Sequence, residues 1–175
     1  VRVVDVQAPA QARRGHIDAL GIHEVFAAQG YGLESGGVRW VDDSKATNPH
    51  AARASLDSFG RVVWIAGGLA KGAEYDDLVA AVGDRLRAAV LIGADRDLIV
   101  AALARHAPDV PVEVVEGGED ADRLMDTVVA AAAARARPGD TVLLAPAAAS
   151  MDQFRDYAHR GDAFAEAVRR AHASG

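Results

Sequence analysis

Between Val38 and Ala173 short apolar runs alternate with stretches in which apolar residues recur every three or four positions. The continuous run Arg61-Val62-Val63-Trp64-Ile65-Ala66 has strand length and no polar face, the pattern of a strand covered on both sides. Val38–Val41, Val90–Ile92, Val112–Val115 and Thr141–Leu144 are further strand-like runs. Ala52, Ser55, Leu56 and Phe59 fall at i, i+3, i+4 and i+7 and predict one face of a helix. Tyr75, Leu78, Val79 and Val82 predict another. Ile99, Ala102, Leu103 and His106 predict a third, capped by Asp95 and stopped by Pro108. An alanine-rich helix is expected over Glu119–Ala136. Ser150 with Gln153 reads as a capping box opening a helix through His159 that Gly161 closes, followed by a last helix presenting Phe164, Ala167, Val168 and Ala171. Repeated β-α order predicts an α/β fold: a Rossmann-like, doubly wound, mostly parallel sheet with helices on both sides and right-handed crossovers.

Residues 1–36 stand outside this alternation and are read as a leader, with the domain proper at 37–175. Val1–Val6 is a strand-like run, Gln7–Leu20 is rich in alanine and arginine, and Gly30, Gly32, Gly36 and Gly37 interrupt the approach to the next strand. The chain starts at Val1 instead of a methionine, which suggests a piece of something longer.

Composition narrows the partners. The chain has 175 residues, half of them hydrophobic, enough for one domain with its own core. A net charge of -6 without a dense basic run speaks against nucleic acid or an anionic membrane. With no cysteine there are no disulfides or thiolate metal sites, which suits the cytoplasm. No segment approaches the roughly 20 apolar residues of a membrane helix, and the N-terminus lacks a signal-peptide layout.

Candidate chemistry lies where strands end. Asp42-Asp43-Ser44-Lys45-Ala46-Thr47-Asn48-Pro49-His50 joins a strand to a helix, with Asn48 a suitable cap and Pro49 at the first helical position. Capping explains Asn48 but neither Lys45 nor Thr47. Lys71 follows Gly67-Gly68 after the second strand, and Ser150 follows Pro146 after the last. Parallel strands put these turns on one edge. Two ammonium groups, two hydroxyls and a helix N-terminus there suit a small dianion or a phosphate. A lone lysine after a strand is ordinarily a solvated charge; three such turns together are harder to dismiss.

Other familiar patterns are missing. Gly67–Gly72 does not match G-x-x-x-x-G-K-[ST], and no serine sits in a G-x-S-x-G elbow. The six histidines have no metal-ligand spacing and read as surface or helix-face residues, so no metal site is assigned. Asp42 and Asp43 read as capping or pairing acids.

Asp43-Ser44-Lys45-Ala46-Thr47-Asn48, Gly67-Gly68-Leu69-Ala70-Lys71-Gly72 and Leu144-Ala145-Pro146-Ala147-Ala148-Ala149-Ser150-Met151-Asp152-Gln153-Phe154 together resemble the C-terminal domain of bacterial Mur ligases, in the form that adds D-glutamate to UDP-N-acetylmuramoyl-L-alanine. The resemblance runs from about Gly37 to near the end. It implies an ATP-dependent acid–amino-acid ligase of peptidoglycan synthesis, with Mg2+ accompanying ATP in the complete enzyme. The uridine-binding and ATPase domains would lie upstream as partners, and this chain alone would hold no cofactor and be inactive. It further implies that Lys45 lies near an acyl phosphate and acts in catalysis, that Thr47, Lys71, Ser150 and Tyr157 hold D-glutamate, and that Asp43 and Asn48 face the nucleotide. Tyr157 stands where the family commonly has phenylalanine. The family's His-Arg pair before the first strand has no counterpart; His23-Glu24 occurs at another spacing. Two other readings stand beside this one: a doubly wound module that only binds a nucleotide or anion, and a partner-docking domain.

Overall fold

The computed structural model describes residues 2–4, 32–118 and 120–173. His23, Glu24 and most of the N-terminal run lie outside the described residues. Among the described residues there are seven strands: β1 (Arg2–Val4), β2 (Gly32–Ser35), β3 (Val38–Asp42), β4 (Val62–Gly67), β5 (Leu86–Ile92), β6 (Val112–Val114) and β7 (Thr141–Leu144). They form one sheet in the order β1-β2-β3-β7-β4-β5-β6. From β3 to β6 every pairing is parallel, whereas β1 and β2 add antiparallel strands beside β3. The helices are α1 (Pro49–Asp57), α2 (Asp76–Val82), α3 (Arg96–His106), α4 (Ala121–Arg135) and α5 (Tyr157–His172), with a 3-10 turn at Gly83–Arg85.

The apolar run of β4 is buried at every position, and its alternate residues supply two cores. Val62, Trp64 and Ala66 pack with Leu56 of α1, Leu78 and Val79 of α2 and Ile99 and Leu103 of α3. Val63 and Ile65 face the other way, onto Leu124, Met125 and Val128 of α4 and Phe164 and Val168 of α5. Burying each such large side chain contributes about 1.5–3 kcal/mol, so both faces of the sheet are committed to helices. Helices on both sides are as the sequence pattern predicts; α1, α2 and α3 cover one face, α4 and α5 the other. Among the described residues no helix is long and apolar enough to cross a membrane.

Four details depart from the sequence reading. The Ser150–Gln153 box opens no helix: Gln153 and Phe154 N–H groups both donate to Ser150 O, closing a single turn. The helix begins at Tyr157, capped by Asp156, whose carboxylate accepts from His159 N at 2.8 Å. Gly161 lies inside this helix instead of closing it, because α5 passes so near β3 that a Cβ there would come within 2.5 Å of Asp42 Oδ2. Asp95 precedes α3 without capping it, its side chain having been drawn to Ala70 N at 2.8 Å. His106 also lies off the buried face of α3 and meets Asp76 at 2.7 Å.

Candidate functional site

The turns that end β3, β4, β5 and β7 lie on one edge and are stitched together by backbone hydrogen bonds. Asp43 N donates to Leu144 O and Ala147 N to Ala46 O, each at 2.8 Å, joining the β3 turn to the β7 turn. Gly67 N reaches Pro146 O at 2.8 Å, and Leu69 and Ala149 exchange bonds of 2.8 and 2.9 Å, joining the β7 turn to the β4 turn. Asp95 N donates to Gly68 O at 3.0 Å while the Asp95 carboxylate accepts from Ala70 N. Gly68 lets the β4 and β7 turns meet at short range: its φ is +137°, and a Cβ would fall 2.1 Å from Ala149 O. No other residue type fits there.

The turn after β7 is fixed from beneath. Its successive carbonyls each have a donor: Ala145 O from Trp64 Nε1 (2.7 Å), Pro146 O from Gly67 N, Ala147 O from the Tyr75 hydroxyl (3.2 Å), Ala148 O from Arg160 Nη1 (3.2 Å) and Ala149 O from Leu69 N. Buried carbonyls need such partners, and here they come from core side chains and neighbouring turns. This turn is therefore a rigid base, and Ser150 stands at its end.

Onto this base the sequence-predicted residues are brought as follows. Lys45 is exposed and Thr47 half-buried in the β3 turn, where Thr47 N donates to Lys45 O at 2.8 Å. Asn48 caps α1, accepting from Ala51 N at 2.9 Å, as its position before Pro49 predicts. Lys71 is exposed in the β4 turn with φ +50°. Lys71 and Ala147 are the non-glycine residues with left-handed backbone among the described residues, and both belong to these turns. A left-handed conformation costs a side-chain-bearing residue about 1–2 kcal/mol, and such strain concentrates at ligand sites. Ser150 is buried. Tyr157, the first residue of α5, is exposed, and its carbonyl accepts from Ser44 Oγ at 2.7 Å.

Three residues of this edge escape motif reading. Arg160 is fully buried and donates from Nε to Ser44 Oγ at 2.8 Å, from Nη2 to Ser44 O at 2.9 Å and from Nη1 to Ala148 O. Its signal in the sequence is an arginine on the apolar stripe formed with Ala163, Phe164, Ala167 and Val168. Ser44 lies inside the Asp43–Asn48 motif but is given no role there, and Asp95 is read only as a helix cap.

Electrostatically the edge is strained. Burial pushes the Asp42 carboxyl up to about 6, although the N–H of Ser44, which donates to Oδ1 at 2.8 Å, and the Arg160 charge both act against the rise. Asp43 also rises to about 6, through burial first, opposed by Ser55 and Lys45 and reinforced by Asp42. Burial lowers Arg160 to about 10, with Asp152 and Asp42 holding it up, so it stays cationic at neutral pH. The edge thus keeps a buried cation and two proton-hungry carboxylates beneath exposed lysines.

Comparison with known proteins agrees with this architecture. Residues 31–148 match the family model described as Mur ligase, glutamate ligase domain. The chain is 69% identical to the UDP-N-acetylmuramoylalanine–D-glutamate ligase of Frankia casuarinae over 76% of its own length and 27% of that protein. The ligase of the same name from Streptomyces coelicolor is 62% identical, over 76% of this chain and 28% of the relative. That of Mycolicibacterium vanbaalenii is 49% identical over 97% of this chain and 40% of the relative. The chain thus spans about a quarter to two fifths of the length of these curated relatives. Among solved structures, the UDP-N-acetylmuramate-alanine ligase of Thermotoga maritima superposes with a TM-score of 0.50 at 14% identity, covering 91% of this chain and 38% of that one, a likeness of fold.

Proposed function

The chain belongs to the Mur ligase family through its glutamate ligase domain, and on that premise we propose that it is the amino-acid-binding domain of an ATP-dependent ligase that adds D-glutamate to UDP-N-acetylmuramoyl-L-alanine in peptidoglycan synthesis. In that reaction ATP converts the substrate carboxylate to an acyl phosphate, and the amine of D-glutamate displaces phosphate to form the amide. The work would be done in the cytoplasm by the complete enzyme, with uridine-binding and ATPase domains upstream.

The observation that carries this reading is the stitched edge, which ties the turns bearing Lys45, Thr47, Lys71 and Ser150 into one rigid unit with the start of α5. D-Glutamate offers two carboxylates, and a site reading both needs donors at two separated points. Charge-assisted bonds to carboxylate are about twice as strong as neutral ones, which suits Lys71, with Thr47, Ser150 and Tyr157 completing the cradle. Lys45, exposed beside Thr47, would stabilise charge developing on the acyl phosphate, the electrostatic contribution that commonly dominates catalysis. Asp43 and Asn48 are assigned to the nucleotide. Magnesium is expected with ATP. Among the described residues no group of three or more acidic or histidine side chains converges. They therefore do not fit a dedicated magnesium cage.

The test is stereochemical. The complete ligase carrying this domain should turn over D-glutamate and discriminate strongly against L-glutamate. Equal indifference to both, with nucleotide binding retained, would favour the anion-binding module instead.

A further inference from the structure

Resting on the reading above, we infer that Arg160 is a positioning residue for the amino-acid site: from within the protein it fixes the Ser44 turn, the Ala148 turn and the start of α5 in one geometry. That geometry sets the spacing of Lys45 and Thr47 against Ser150 and Tyr157.

Every side-chain hydrogen bond of Arg160 points to this role. Its three donors go to Ser44 Oγ, Ser44 O and Ala148 O, which lie on the two turns that flank the proposed cradle. Ser44 passes the connection on, since the hydroxyl that accepts from Arg160 donates to Tyr157 O at 2.7 Å. One guanidinium therefore ties the β3 turn, the β7 turn and the first residue of α5, which between them carry Lys45, Thr47, Ser150 and Tyr157. A planar fork can hold three acceptors in fixed relative directions; an ammonium on a flexible stem cannot.

Stability alone does not account for the residue. Arg160 is wholly buried, and none of its hydrogen bonds goes to a carboxylate. Taking a guanidinium out of water for two carbonyls and a hydroxyl is costly, and an apolar residue on this stripe of α5 would pack against Phe164 and its neighbours without that cost. Asp42 and Asp152 supply opposite charge at a distance. What the arginine adds over a hydrophobic residue is geometry at the rim of the site.

The experiment uses steady-state kinetics of the complete ligase carrying Arg160→Lys, Ser44→Ala or Lys71→Ala. Arg160→Lys keeps the charge and loses the fork, while Ser44→Ala removes the shared hydroxyl with little change in volume. Both should raise the KM for D-glutamate on the order of 10- to 100-fold, the scale of an ångström's misplacement, with the KM for ATP held within about twofold. Because the two act through one hydroxyl, the double variant should be little worse than either single one. If Ser44→Ala and folded Arg160→Lys leave the D-glutamate KM unchanged and lower kcat only in proportion to the folded fraction, Arg160 is merely structural and the inference is overturned. Should Arg160→Lys fail to fold, Ser44→Ala decides alone. Lys71→Ala separates the two levels: if it raises the D-glutamate KM while the other variants do not, positioning fails and the site reading stands. If it too has no effect, the site reading itself fails.

Discussion

At the scale of single residues the edge of the sheet trades stability for function, and pH exposes the trade. The carboxyls of Asp42 and Asp43 rise from an ordinary 3.8 to about 6 in the folded chain, chiefly through burial. Between those values the folded state holds protons the unfolded state has released, so stability contributed by these groups falls as pH rises through the window and stays low above it. Asp140 acts in the opposite sense. Burial would lift it, but two bonds from Arg87 and one from the N–H of Arg137 hold it below the usual range. Its contribution is present above the unfolded value and is lost as pH falls through the folded one. Asp43→Asn should therefore stabilise the chain at neutral pH by on the order of 1–3 kcal/mol and give little gain near the unfolded pKa. Urea midpoints at the two pH values check this; a variant less stable at neutral pH would mean that the Asp43 charge is compensated in the folded state.

Among the elements, the turns depend on close approach, and Gly68 is the case that joins the β4 turn to the β7 turn. Gly68→Ala combines a left-handed backbone with a Cβ driven against Ala149 O, and should cost at least about 3 kcal/mol, read from denaturant unfolding. A loss under about 1 kcal/mol would show that the β4 and β7 turns can separate without consequence. How much of this was legible beforehand follows from what kind of force sets each feature. The fully apolar run of β4 and the i, i+3, i+4 faces of α1, α2 and, apart from His106, α3 are imposed by burial, and burial is written in periodicity. The start of α5 was misread because Ser150 and Gly161 carry local signals of a cap and a stop, while tertiary contacts decide otherwise. Ser150 closes a turn built on the β7 base, and Gly161 is there to let α5 pass Asp42. Ending the helix at Gly161 also cut Arg160 off from the apolar stripe on which it stands out. Lys45, Thr47 and Lys71 were visible because two ammonium groups and a hydroxyl after buried strands need explaining; the tertiary hydrogen bonds that hold their turns depend on partners 25 to more than 100 positions away.

For the whole molecule, the division at residues 36 and 37 is a proposal that truncation addresses. β2 pairs with β3 along four residue pairs, including Leu33 with Trp40. A chain cut before Gly32 should keep a cooperative transition within about 1 kcal/mol of the parent, whereas a cut before Gly36 also removes β2, leaves β3 unpaired on that side and should cost more. Equal stability of the two would place the folding unit at Gly37. The chain alone should form no amide bond from ATP, D-glutamate and the muramoyl-alanine nucleotide, since it spans only a fraction of its relatives. The central claim, that the strand-end turns of this domain cradle the two carboxylates of D-glutamate, is tested most directly by the steady-state kinetics of Lys71→Ala in the complete ligase. The KM for D-glutamate should rise by the equivalent of roughly 2–3 kcal/mol, the size of a lost charge-assisted hydrogen bond, with the KM for ATP nearly unmoved; Lys45→Ala, measured beside it, should depress kcat instead. A Lys71→Ala enzyme that changes only its ATP parameters, or behaves like the wild type, would contradict the claim.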